Sequence, residues 1–283
     1  MVVTRNPNLG PSQMRARRRR LFLIRFYIIL FFLLVIVFGL AIFSGHKNIT
    51  VQTIIVSGNA AVQSDEVLKI ANRDMTGRYW YLFAKNNSLI FPKAQIKKDL
   101  LKEIKTIKDV NISWSNWQRI DISILERKPQ AVWCGNDIKI AETECYFLDK
   151  NGYIYSQAPV FSGTMFIKNY GVPFTLKNAS STDFLGQYYL SRETYTQIYN
   201  LVQILDQKGI KVVTVTYDNF DYKFILENGP EIIFNNKNSF DSSFNNLFSA
   251  IETKNLDLEK DAGLINYIDL RFDNKIVIGK KGK

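Results

Sequence analysis

LFLIRFYIILFFLLVIVFGLAIF, residues Leu21 to Phe43, decides the architecture of this chain. Its one charged residue is Arg25, near the beginning of the segment. A helix needs roughly 20 apolar residues to cross the hydrocarbon core of a bilayer, and a charged side chain near its end can reach the headgroups. A cleaved signal peptide is the alternative, but its apolar region is shorter and ends in small residues, unlike Ala41-Ile42-Phe43. The segment therefore predicts an uncleaved membrane-spanning helix.

The basic residues are concentrated before this helix. The formal net charge is +11, yet without the seven arginines of the first 25 residues the chain has 30 basic and 26 acidic residues, a net charge of +4. Nucleic-acid contact and attraction to anionic lipid are two interpretations of this cluster. The positive-inside rule is the third, and it predicts a cytoplasmic N-terminus and outer domains on the other side of the membrane. The cluster that sets this orientation is Arg15, Arg17, Arg18, Arg19 and Arg20.

We divide the chain into a basic tail (1–20), the membrane helix (21–43), a first outer domain (47–127) and a second outer domain (128–283). Residues 1–13 contain two prolines and few apolar residues, so we expect that part of the tail to be disordered. No internal repeat is visible in the outer region.

The first outer domain has the pattern β-α-α-β-β. ITVQTIIVSGN, from Ile49, predicts a strand, and Ser64 is a candidate cap for a helix whose first turn carries Asp65 and Glu66. A second helix is predicted from Pro92 to Ile104. Alternating apolar residues on both sides of the break at 116–118 then predict a hairpin. These elements suit a three-stranded sheet with helices on one face.

The second outer domain is predicted to be a mixed α+β domain. Short apolar runs such as AVWC, CYFLD, KVVTVTY and EIIF indicate strands. Helices are predicted near 193–207 and 240–253, and LINYIDLRFDNKIVIG indicates two final strands about Asp273-Asn274. The polar stretch Phe161 to Arg192 matches no pattern.

The residues carry no recognised catalytic or cofactor-binding motif. His46 is the single histidine, which excludes HExxH zinc sites and catalytic triads that need a deep histidine. No phosphate-binding or dinucleotide-binding glycine motif occurs. Adjacent acids such as Asp65-Glu66 suit a helix dipole better than acid-base catalysis. We therefore expect a non-enzymatic protein without cofactor, metal, small-molecule substrate or nucleic-acid partner.

Two further features leave alternatives open. The aromatic run RYWYLFAKNNS, from Arg78, is compatible with base stacking, with the bilayer interface or a partner contact, and with packing onto its own domain. Cys134 and Cys145 are the only cysteines. Outside the cytoplasm such a pair can form a disulfide, which we favour over two buried thiols.

Several segments, in order, resemble the bacterial cell-division protein family FtsQ/DivIB. They follow the basic tail and membrane helix, and the resemblance covers the chain from Arg15 onward. A difference is Trp117-Gln118, where the family commonly has Trp-Pro. The similar segments are VQTIIVSGN (51–59), which opens a POTRA-type module, ISILERKPQAVW (122–133), FLDKNGYIYSQAP (147–159) and YIDLRFDNKIVIG (267–279).

The resemblance implies a single-pass scaffold of the divisome at the division septum. It implies that the outer domains bind small coiled-coil proteins of the FtsB/DivIC and FtsL type and support septal peptidoglycan synthesis. It also places the partner contact on the terminal strand, at a sheet edge where an incoming segment can pair. The predicted contact residues are Arg271, Phe272, Asp273, Asn274, Lys275, Ile276, Val277 and Ile278.

Alternation assigns two faces to this strand. Phe272, Asn274, Ile276 and Ile278 are expected on one face, and the residues between them on the other. Two other functional classes stay open: a membrane-anchored cell-wall enzyme, which would need an acid or nucleophile in a cleft, and a POTRA-bearing transport or chaperone component, which would need a β-barrel or secretion partner.

Overall fold

The long apolar segment forms one helix. A computed structural model describes residues 11–136, 138, 144–161, 163–172, 184–218, 221–235, 240–254, 258, 263–272 and 275–281. Helix α1 extends over Pro11–Ser44, and its part Arg18–Ser44 is long and apolar enough to cross a membrane. The expectation of an irregular tail up to Gln13 is wrong for its last three residues. Proline is tolerated at the first position of a helix, where its missing N–H has no partner to lose. Residues 1–10 lie outside the described residues.

The chain divides into two compact units. The first comprises Met1–Ile104 and Asp109–Leu125, and the second comprises Lys105–Lys108 and Glu126–Lys283. The strand Ile107–Asn116 begins in the second unit and continues in the first. The division after Leu125 lies two residues before the boundary of 127/128 that the sequence suggested.

The first unit joins α1 to a small sheet carrying two helices. After a 3₁₀ turn at Lys47–Ile49, its elements follow in this order: β1 (Thr53–Ser57), α2 (Ser64–Asp74), β2 (Arg78–Tyr79), β3 (Phe83–Ala84), α3 (Lys93–Glu103), β4 (Ile107–Asn116) and β5 (Arg119–Glu126). The sheet order is β1-β5-β4, and β1 runs parallel to β5, with Thr53 opposite Arg119. The predicted strand, two helices and hairpin are all present.

The core of this unit follows the predicted apolar periodicity. Apolar side chains of α2 and α3 and alternate side chains of β4 and β5 are buried: Val67, Ile70, Ile96, Leu100, Val110, Ile112, Ile120 and Ile122. Trp114 continues the alternation of β4 but is half exposed. One detail was predicted wrongly, because Gln63 rather than Ser64 occupies the N-cap of α2. The aromatic run from Arg78 contains the short hairpin β2–β3, which was not predicted.

The second unit is built on one mixed sheet. Its elements are β6 (Ala131–Trp133), β7 (Cys145–Leu148), β8 (Ile154–Ala158), β9 (Ile167–Tyr170), α4 (Arg192–Gln207), β10 (Val212–Asp218), β11 (Asp221–Leu226), β12 (Glu231–Asn235), α5 (Phe240–Lys254), β13 (Ile265–Asp269) and β14 (Val277–Lys280). The nine strands that the structure describes in this sheet lie in the order β14-β13-β12-β11-β10-β9-β6-β7-β8. Both predicted helices are confirmed, as is the mixed α+β class.

The main core lies on one face of this sheet. Trp133 of β6 belongs to it, together with side chains of both helices, such as Leu205 and Phe244. Val132 and Cys134 belong to a smaller cluster with Phe147 and Tyr170. Since successive side chains of a strand point to opposite faces, this cluster covers the other face.

Candidate partner-binding edge

The last two strands form an antiparallel pair at one end of the nine-stranded sheet. Ile268 lies opposite Ile278, and Asp269 lies opposite Val277. β14 pairs with β13 on one side, and no described strand pairs with it on the other. Edge strands of this kind can accept another strand through their backbone groups. The predicted turn residues Asp273 and Asn274 lie outside the described residues.

The terminal strand is shorter than predicted. The predicted contact residues on this strand begin at Arg271, but β14 covers Val277–Lys280, so Lys275 and Ile276 precede it. The cause lies just after β13, where the Asp269 carboxylate accepts the backbone N–H of Arg271 at 3.0 Å. Aspartate favours such a local turn because its side chain can bond the backbone two residues later. β13 ends at Asp269, and Arg271 lies outside both β13 and β14.

The predicted faces of the terminal segment are only partly correct. Ile276 and Ile278 are partly buried and pack against the main core of the second unit. Phe272 was placed on the same face but is 44% exposed. The ammonium of Lys275 lies 4.7 Å from the centre of the Phe272 ring. Phe272 is therefore a surface residue beside the edge strand rather than part of the core.

Arg271 joins β13 to a strand far away in the sequence. Its guanidinium donates to both carboxylate oxygens of Asp269, at 3.0 and 2.7 Å, and to Asp221 at 2.8 Å. Burial opposes ionisation of Asp269, but the hydrogen bonds from Arg271 outweigh it and hold the pKa of this carboxyl below its ordinary value. The sequence analysis missed this ion-pair group, although the spacing D-x-R in YIDLR places the first two side chains close together.

Gly279 brings an aromatic ring across the edge. It lies opposite Tyr267, and a Cβ built on Gly279 would be 2.3 Å from a ring carbon of Tyr267. The ring therefore covers the glycine, a cross-strand arrangement that supports strand register. The Tyr267 ring lies on the outer face of the β13–β14 pair. Ile276 and Ile278 lie on the opposite face and pack on the core.

The hydrogen-bond register shows which backbone groups face inward. The N–H of Lys281 donates to the Leu264 carbonyl at 2.9 Å, toward β13. Neighbouring residues of an antiparallel strand direct their N–H and C=O groups to opposite sides. The N–H of Lys280 therefore points away from β13, where an added strand would lie.

A second candidate region lies at the other end of the sheet. Cys134 and Cys145 form a disulfide and occupy positions next to the paired residues Trp133 and Tyr146. A cavity of about 500 Å³ adjoins it, lined by Phe161 and Phe166 and by polar side chains. Residues 139–143, beside this region, lie outside the described residues. No described group of three or more His, Cys, Asp or Glu side chains is arranged to hold a metal ion.

No family model and no curated protein matches this chain.

Proposed function

We propose that this chain is a non-enzymatic, single-pass scaffold of the bacterial divisome. The observation that carries the proposal is the position of β14 at the edge of the large sheet, where no other described strand pairs with its outer side. A segment of a small bitopic coiled-coil protein of the FtsB/DivIC or FtsL type would add beside β14 through backbone hydrogen bonds. Side chains near the edge would select the partner. Phe272 and Lys275 are the exposed residues best placed for this selection.

The first unit supports a membrane-proximal role. Its strand and helix order, with β1 parallel to β5 in a three-stranded sheet, is compatible with a POTRA-type module. The arginine cluster before the apolar part of α1 favours a cytoplasmic N-terminus. Both units would then lie outside the cytoplasm, in the compartment where septal peptidoglycan is made. Binding by strand addition requires no catalytic group.

The direct test is affinity capture of the intact, tagged chain from membranes of the source cells. We expect short bitopic proteins with a heptad-repeat segment to be recovered. Their absence, although the chain is intact and inserted in the membrane, would reject the scaffold proposal.

The orientation is tested separately with a reporter fused after Lys283. A reporter active outside the cytoplasm on an uncleaved chain supports the proposal, and a cytoplasmic one rejects it. Replacing Arg17 to Arg20 with neutral residues should weaken the orientation bias.

A further inference from the structure

The hairpin β2–β3 is attached to the end of the apolar helix. The backbone N–H of Ala84 donates to Ser44 Oγ at 3.1 Å, and the Asn87 amide donates to the Ser44 carbonyl at 2.8 Å. Ala41, Ser44 and Ala84 are all buried, and β3 contacts α1. Ala41 belongs to the apolar segment and lies about 4.5 Å from Ser44 along the helix axis, toward the N-terminus of α1. The first unit therefore covers the last turn of the apolar helix.

The turn of this hairpin exposes two aromatic side chains. Trp80 is 83% exposed and Tyr81 is 96% exposed. The N–H of Leu82 donates to the Tyr79 carbonyl at 2.9 Å, and both central residues have positive φ, 48° and 63°. Such a turn ordinarily carries Asn-Gly, since residues with larger side chains adopt positive φ at a cost. Two aromatic residues at these positions indicate that their side chains serve a purpose other than forming the turn.

A second exposed aromatic pair lies at the same end of the first unit. Trp114 and Trp117 are each half exposed and stack edge to face, with 5.7 Å between ring centres. Trp114 is in β4, and Trp117 is in the turn between β4 and β5. In this turn the Gln118 amide donates to the Lys47 carbonyl at 3.3 Å. Lys47 follows the end of α1 by three residues. Both aromatic turns are thus linked by hydrogen bonds to the residues that leave the apolar helix.

The charge around the first turn is basic. Residues 75–98 contain no acidic residue, and Arg78 and Lys85 flank the aromatic turn. A Cβ built on Gly45 would lie 3.9 Å from an Arg78 guanidinium nitrogen, so this charge is close to the end of α1. Basic side chains near a bilayer surface are attracted to anionic headgroups.

We propose that the turn Tyr79–Leu82 inserts into the headgroup boundary of the bilayer that α1 crosses. Trp80 and Tyr81 are the inserting side chains, and Trp114 and Trp117 contact the same surface. Trp and Tyr favour this boundary because an apolar ring and a polar group can be satisfied there together. This contact would fix the orientation of the first unit relative to the bilayer surface. This inference depends on the membrane anchor of the proposed function.

The test uses the full-length chain in vesicles of phosphatidylcholine and phosphatidylglycerol. Both native cysteines are joined in the disulfide, so an added cysteine provides one free thiol for an environment-sensitive fluorophore. Tyr81→Cys places the probe in the turn. Leu125→Cys is the control, because Leu125 is also exposed, at 53%, but lies six residues along β5 from Arg119, about 20 Å away.

We expect a blue shift of the Tyr81 probe and quenching by lipids with a nitroxide near the headgroup, with neither effect at the Leu125 probe. A water-like Tyr81 probe on a chain that floats with the vesicles would overturn the docking and leave the anchor intact. A chain that does not float would reject the anchor and the docking together.

Tryptophan fluorescence of variants without a label gives a second measurement. Lipids brominated high on the acyl chain should quench part of the wild-type emission, and Trp80→Phe should remove a share of the quenched signal. An unchanged quenched signal in a folded Trp80→Phe variant would also overturn the insertion of this turn.

Discussion

The guanidinium of Arg127 donates to the carboxylate of Asp149, and both side chains lie largely inside the second unit. Arg127 also donates to the Lys105 carbonyl at 3.1 Å and lies over the Tyr153 ring. The other oxygen of Asp149 accepts the N–H groups of Asn151 and Tyr153. One ion pair therefore holds the start of this unit against the turn between β7 and β8.

Removing one charge of this pair should be costly. Asp149→Asn keeps the volume but leaves Arg127 without a countercharge in a buried position, so we expect a loss of about 3 kcal/mol in the free energy of unfolding. Urea unfolding of the full-length chain in detergent, followed by circular dichroism, measures it. Lys223→Gln is the control, since it breaks an exposed pair with Glu231 and should cost less than about 1 kcal/mol. Equal losses would contradict the prediction.

Gly152 should not tolerate a side chain. Its φ is 74°, and a Cβ there would lie 2.6 Å from a ring carbon of Tyr195. Gly152→Ala combines backbone strain with overlap against a buried ring, and we expect a loss of about 3 kcal/mol. Gly163→Ala is the matched control, because Gly163 has a φ of 83° and nothing within 4 Å. Gly163→Ala should lose only the free energy of unfolding that a side chain at positive φ costs, about 1 kcal/mol. The difference between the two variants reports the overlap, and similar losses would mean that Tyr195 moves aside.

The disulfide should stabilise the second unit. Cys134 and Cys145 are 11 residues apart, and closing such a loop in the unfolded chain contributes about 3 kcal/mol. Cys134→Ala combined with Cys145→Ala should lower the free energy of unfolding by that amount, and reduction of the wild type should have the same effect. Mass spectrometry of the aerobically purified chain should show two hydrogens fewer than the reduced chain. Two titratable thiols in the native protein would refute the pairing.

Local patterns in the sequence were sufficient for most single elements. The helices α2 and α3 and the hairpin β4–β5 were predicted because apolar periodicity and turn residues act over a few positions. The order of nine strands in one sheet was not predicted, because β6 pairs with β9 and β9 with β10 across long intervening segments.

Local patterns predicted the candidate partner-binding edge only in part. Alternation placed Ile276 and Ile278 on one face of the terminal segment without saying which face is buried, and both pack against the main core. It failed for Phe272, which is 44% exposed. The contact between Arg271 and Asp221, fifty residues earlier, was not predicted either, because no local pattern reveals it. The aromatic turn at Trp80-Tyr81 was missed because positive φ is ordinarily recognised by glycine or asparagine.

The Asp269–Arg271 pair should make stability depend on pH. The pKa of Asp269 is lower in the folded state than the value of about 3.9 for an unfolded chain. The ionised form of Asp269 therefore stabilises the fold at pH values above the pKa of the unfolded chain. This stabilisation is lost as the pH falls through the lower pKa of Asp269 in the folded state. Asp269→Asn should cost about 2 kcal/mol near neutral pH.

The difference in stability between wild type and Asp269→Asn should become smaller below about pH 4. Thermal unfolding at a series of pH values measures this. Asp206→Asn, on the exposed face of α4, should change stability by less than about 0.5 kcal/mol. A gap that stays constant down to strongly acidic pH would show that the charge of Asp269 is not the cause.

The edge of β14 offers the sharpest test of the scaffold proposal. A proline removes one backbone N–H, so it tests pairing only at a position inside β14. Ile276 is unsuitable for this test because it lies before the strand. Lys280 is the better position, because its N–H points away from β13. Lys280→Pro removes that donor without breaking the bond from Lys281 to Leu264, so the chain should stay folded while recovery of the bitopic partner falls sharply.

Two matched variants separate backbone pairing from other causes. Lys280→Ala removes the charge but keeps the N–H, and it should retain partner recovery. Lys281→Pro removes the donor to Leu264, so it should loosen the β13–β14 pair and lower stability. Circular dichroism and thermal unfolding verify the fold of each variant, and affinity capture from membranes measures the partner. If folded Lys280→Pro recovers the partner as well as wild type does, the partner does not add to this strand. If Lys280→Ala loses the partner as fully as Lys280→Pro, recognition depends on the lysine side chain instead of on strand addition.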